Sequence, residues 1–122
     1  MSAALPKLYF VLLLPVLIAV FLTFDQLVRF EYCSSKENWD KDGKPRGFFW
    51  RPAESNAGLA RMLKSNFALQ RCAFVWLFKT EDWMEADQHA LRLVRRLRVL
   101  VLIWNVGILA GAAYFLVVRW RA

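Results

Sequence analysis

Two stretches of this chain carry no charged residue. Leu8 to Phe24 runs for 17 residues and Val99 to Val118 for 20. A hydrocarbon core about 30 Å thick takes roughly 17–25 helical residues to cross, so each run predicts a transmembrane helix. The first is short, but Leu27, Val28 and Phe30 continue its apolar face past Asp25 and Arg29. A cleaved signal would need a small-x-small pattern after the apolar run. Thr23 to Leu27 offer none, so the run is expected to stay as an anchor.

The pattern between the runs is of a different kind. Glu31 to Gly47 is polar and lacks periodicity; Asp42-Gly43 and Pro45 mark turns, so a loop is expected there, with a short strand at Phe48 to Trp50. From Ser55, a candidate N-cap, the positions Leu59, Met62, Leu63, Phe67, Phe74, Leu77 and Phe78 recur near helical spacing, while Lys64, Gln70 and Arg71 fall off that stripe. The end of this helix, Cys72 to Phe78, is apolar all round. It is too short to span a bilayer and too apolar to face water. Thr80 is a candidate N-cap for a third helix, with Glu81, Asp82 and Glu85 at its positive end. No Pro or Gly interrupts Glu81 to Val106, so that helix is expected to run directly into the second span, with Trp83, Ala90, Leu91, Val94 and Leu97 on one face.

The expected fold is an all-α membrane protein: two transmembrane helices joined by a helical, amphipathic cytoplasmic cap. Its parts are an N-terminal span (1–30), the loop and cap (31–98), and a C-terminal span with a short tail (99–122). A cap of that size is marginal as an independent core.

Composition agrees with a membrane protein, at 58% hydrophobic and 16% aromatic residues. Charge sets the expected orientation. Within about 20 residues of the inner ends of the runs lie Arg29, Lys36, Lys41, Lys44, Lys79, Arg92, Arg95, Arg96 and Arg98; outside them are only Lys7, Arg119 and Arg121. This asymmetry places the central segment in the cytoplasm and both termini outside. A cytoplasmic segment keeps Cys33 and Cys72 reduced, and two lone thiols make no metal framework. The net charge of +7 is not a nucleic-acid signature, because all ten acidic residues, from Asp25 to Asp87, lie between the two uncharged runs and no reading module accompanies the basic cluster.

Arg92, Arg95, Arg96 and Arg98 form a run entering the second span. It suffices as an orientation signal and also suits anionic lipid headgroups. Phe48, Phe49 and Trp50, flanked by Arg46 and Arg51, are expected to pack under the cap or dip into the membrane interface, with both arginines reaching headgroups, or alternatively to pack within the chain. Phe74, Trp76 and Phe78 extend the same aromatic docking surface. Gly107 and Gly111 form a GxxxG that nominates a helix-packing face, with Asn105 one turn away as a candidate interhelical donor. Pro15 is expected to bend the first span, and Asp25 to pair with Arg29 at i, i+4.

The chemistry of catalysis is thinly represented. His89 is the sole histidine and is expected to make a solvated pair with Glu85. No phosphate-cradling glycine loop or metal-spaced carboxylate cluster occurs, so no catalytic residue, metal or cofactor is expected. The expected partners are membrane lipids and either a membrane protein or further copies of this chain.

Gly47-Phe48-Phe49, the aromatic-rich Phe74 to Phe78, the acidic His-containing turn Glu81 to His89 and the run Arg92 to Arg98 together resemble the universal stress protein B family. These are small two-span bacterial inner-membrane proteins. The resemblance covers Gly47 to the C-terminus. It implies a stress-associated membrane protein of the bacterial inner membrane, without enzymatic activity and with no catalytic residues to carry over.

Overall fold

The structure is a computed structural model that describes residues 4–52 and 58–121. Among these residues it is helical, with no strand. Two long helices, α1 (Ala4–Ser34) and α5 (Gln88–Arg121), frame three shorter ones: α2 (Lys36–Lys41), α3 (Leu59–Phe78) and α4 (Asp82–Glu85). At 1.5 Å per residue α1 is about 46 Å long and α5 about 51 Å. Both are long and apolar enough to cross a bilayer, and both outlast the apolar runs that qualify them.

α1 and α5 lie antiparallel. The Tyr9 hydroxyl donates to the Gly107 carbonyl at 2.8 Å, and far along the pair the Phe30 ring meets His89, centroids 5.9 Å apart. Gly107 and Gly111 allow the close approach: a Cβ on Gly107 would come within 2.8 Å of the Leu13 side chain, and one on Gly111 within 2.6 Å of the Tyr9 ring. Small residues let two helices meet at backbone range. Most of the remaining surface of both runs is bare, with Leu12, Leu102, Leu109 and Leu116 exposed.

The core sits where the two long helices extend beyond their apolar runs. Phe24, Leu27 and Val28 from α1 and Ala90, Leu93, Val94 and Leu97 from α5 are buried there. Trp39 from α2, Leu69, Cys72 and Trp76 from α3, and Trp83 and Met84 from α4 close over them. Trp76 packs between Phe24 and Trp83, tilted against the first and edge-to-face with the second, at centroid distances of 5.3 and 5.5 Å. The chain leaves α2 through Gly43 and Lys44, both at positive φ. Gly43 also lies against α3, since an added Cβ would be 3.2 Å from that of Ala68.

Several expected elements differ. Phe48 to Trp50 is a bend, not a strand. Ser55 lies outside the described residues, and Gly58 precedes the first turn of α3. The helix expected to run from Glu81 into the second span is broken at Ala86-Asp87. The Asp87 carboxylate accepts the amides of His89 and Ala90, at 2.7 and 3.3 Å, and so starts α5 afresh. An aspartate competes for backbone donors in this way and favours a cap over a helix interior.

Candidate functional site

Asp25 organises the loop below the core. Its side chain is buried, and its carboxylate accepts three successive amides, from Phe48 (2.5 Å), Phe49 (2.7 Å) and Trp50 (3.0 Å). Gly47 donates its amide across the bend to the Trp50 carbonyl at 2.8 Å, which keeps the three following amides turned toward α1. Successive N–H groups converging on one anion form a nest. Only glycine fits at its start, because a Cβ at 47 would lie 2.5 Å from Asp25 Oδ1. The expected Asp25–Arg29 pair is therefore corrected: the carboxylate is committed to the loop, and Arg29 is exposed on α1.

With the backbone fixed, the aromatic triplet divides. Phe48 packs against Phe21 and Phe24, and Trp50 packs against Tyr32. Phe49 alone points outward and is exposed. Of the second aromatic group, Trp76 is 1% exposed and belongs to the core, whereas Phe74 and Phe78 are exposed and touch each other. The docking role of Trp76 is thus corrected to a core role, whereas Phe48 and Trp50 take the within-chain alternative, partly buried against the core. A tryptophan's area rewards enclosure on all sides, and the junction of α1, α3 and α4 supplies it.

α3 turns its apolar stripe away from the core. Leu59, Leu63, Phe67, Phe74 and Phe78 fall within about a 100° arc at 100° per residue, and all five are exposed. The face toward the core is instead Ser65, Ala68, Leu69, Cys72 and Trp76. Three of these five are small, which brings α3 close to the loop; Ser65 Oγ donates to the Lys44 carbonyl at 2.9 Å, and Arg71 Nη2 to the Asp42 carbonyl at 2.6 Å.

The arginines also divide. Arg98 turns inward, donating to the Trp76 carbonyl (3.1 Å) and the Thr80 hydroxyl (3.0 Å), so its headgroup role is corrected to tying α5 to the end of α3. Arg46 donates to Asn66 at 3.1 Å and joins the loop to α3. Arg51, Arg92, Arg95 and Arg96 are exposed. Arg92 and Arg96 line a groove between α1 and α5 together with Arg29 and His89. The expected His89–Glu85 pair is corrected for the same reason as the helix: the break at Ala86-Asp87 removes the i, i+4 register. Asn105 donates to the Val101 carbonyl of its own helix at 2.8 Å, not across to α1.

Two buried polar groups have no legible sequence signal. Glu31, 0% exposed, has neither carboxyl oxygen in contact with a donor among the described residues. Cys72 is buried, and burial, reinforced by the charges of Asp42 and Glu31, pushes its thiol well above the usual range. Cys33, by contrast, is exposed and lies at the basic groove. No cluster of metal-ligating side chains is found among the described residues.

Comparison with protein-family models, curated proteins and solved structures finds no match to this chain.

Proposed function

We propose that this chain is a two-span protein of the bacterial inner membrane with its central helices in the cytoplasm and both termini outside. It acts without catalysis of its own, as a small accessory or regulatory subunit of a larger membrane assembly. The observation that carries this reading is the outward stripe of α3. Five large apolar side chains on one helix face, backed by a face that already fills the core, amount to a surface in need of a partner. Helix-in-groove and helix-on-helix recognition use anchors at this spacing.

The test is purification in mild detergent of the native protein and of a Phe67→Ser/Phe74→Ser variant. Stoichiometric recovery of another membrane protein with the native chain, lost in the variant while membrane insertion persists, is the expected result. Recovery of a clean homo-oligomer from both argues against the accessory role. Reporter fusions in the 31–47 loop and at residue 122 check the orientation, since a loop on the outer side reverses the reading.

A second reading is favoured by the basic groove and by the resemblance to the universal stress protein B family. In it the chain stands alone as a stress-associated membrane protein, acting through homo-oligomers and anionic lipid.

A further inference from the structure

Just beyond the apolar runs, α1 and α5 leave between them a groove of about 570 Å³. Gln26, Arg29 and Cys33 line it from α1, and His89, Arg92 and Arg96 from α5. Each triplet has the spacing i, i+3, i+7 that keeps side chains on one helix face, so two faces look onto one space. No carboxylate lines it. Among the described residues, no acidic group comes within ion-pair distance of Arg29, Arg92 or Arg96. Three guanidiniums gathered without a counter-charge repel one another, and an anion between them relieves this. The N-terminus of α5 adds little, because Asp87 already occupies its first amides.

What lies beneath the groove indicates the kind of anion. Continuing down the same two helix faces by further turns leads to Leu22 and Ile18 on α1 and to Val99 and Ile103 on α5, all exposed. Arg29 stands about 7 Å beyond Phe24, and Arg96 about 5 Å before Val99, by helical rise. A basic recess at headgroup height above a bare apolar track has the polarity profile of a phospholipid. A free phosphate would use only the upper half.

We infer that this groove is a binding site for an anionic phospholipid of the leaflet on the side of the central helices, with Arg29, Arg92 and Arg96 holding its phosphate oxygens. The inference rests on the two-span reading. It goes beyond a general attraction of basic residues to a charged surface, because it requires one lipid held between two helices and brings Arg29 into the site.

The experiment uses the full chain in phosphatidylcholine nanodiscs with trace spin-labelled phosphatidylglycerol or phosphatidylcholine. The immobilised fraction of each lipid is read by electron paramagnetic resonance. The native protein is expected to prefer phosphatidylglycerol by about tenfold, given about fivefold per nearby basic charge before screening. Arg29→Gln/Arg92→Gln/Arg96→Gln is expected to lose that preference. Lys7→Gln/Arg119→Gln/Arg121→Gln, which removes the same charge at the far end of the helices, is expected to keep it.

Equal losses in both triple variants, or retention in the groove variant, overturn the inference. Displacement of the labelled lipid by millimolar inorganic phosphate also overturns it, in favour of a free-anion site. Continued shielding of Cys72 from maleimide verifies that each variant is folded. Failure of the two-span reading would show separately, as extraction of the chain from vesicles by alkaline carbonate; failure of the lipid site leaves an embedded protein without selectivity.

Discussion

At the residue scale, a few polar side chains do disproportionate structural work. Asp25 satisfies three amides that the bend at 47–50 cannot satisfy within itself. Asp25→Ala is expected to destabilise the protein by about 3 kcal/mol, since hydrogen bonds to a charged acceptor are lost and buried donors are left without partners. A lower midpoint of thermal unfolding in detergent, with unchanged helix content before the transition, checks this. Gly47→Ala is expected to act in the same direction, by displacing the carboxylate that its Cβ would meet. Glu31 is the opposite case, a carboxyl buried beside the carboxylate of Asp42 with no cation or amide to satisfy it among the described residues. Glu31→Leu is expected to raise the unfolding midpoint by the equivalent of about 1 kcal/mol or more, because an apolar replacement removes the unmet desolvation cost. The two thiols separate by environment: maleimide is expected to label Cys33 quickly in the folded protein and Cys72 only after denaturation.

At the element scale, the instructive helix is α3. Its strongest apolar periodicity, Leu59 to Phe78, faces outward, while a face built largely from small residues touches the core. Periodicity reports that a face seeks apolar surroundings, not which surroundings it finds. Packing settles the matter here because Ser65, Ala68 and Cys72 permit the close approach that Trp76 needs to reach Phe24 and Trp83. The outward face therefore tolerates polar replacement in a way the inner one does not. Phe74→Ser/Phe78→Ser is expected to shift the unfolding midpoint by less than about 1 kcal/mol, as surface changes do, whereas Trp76→Ala is expected to cost about 3–5 kcal/mol. Phe48→Ser belongs with the second kind, since its ring packs on Phe21 and Phe24. Calorimetric or fluorescence-detected unfolding separates the two classes.

At the scale of the whole molecule, two long antiparallel helices act as rails, and their extensions beyond the apolar runs hold everything else. The rails meet through Gly107 and Gly111 on one side and Tyr9 and Leu13 on the other. Gly111→Ile is expected to push the ends of α1 and α5 apart while sparing the core near Trp76. Faster amide hydrogen exchange at residues 104–115, with unchanged protection of Cys72, is the observation that checks it. The groove with Arg29, Arg92 and Arg96 exists only because these helices pair in one register. A shift of one turn would remove Arg29 from the two α5 arginines.

The sequence alone determined the features that need only a length and a composition. Two uncharged runs of 17 and 20 residues fix two long helices, Asp42-Gly43 fixes a turn, and Gly107 and Gly111 mark a face for close approach. These follow from helix rise, backbone sterics and side-chain volume, which act locally. Tertiary structure decided what each polar group and each aromatic ring would meet. It turned Asp25 from its neighbour Arg29 to three amides more than twenty residues away, and enclosed Trp76 while leaving Phe74 two positions earlier in the open. It broke the helix at Asp87 and brought Arg29 beside Arg92 and Arg96. A carboxylate takes whichever donors the fold holds nearest, and a ring is buried only where other elements close around it. Neither outcome is encoded by spacing along one helix.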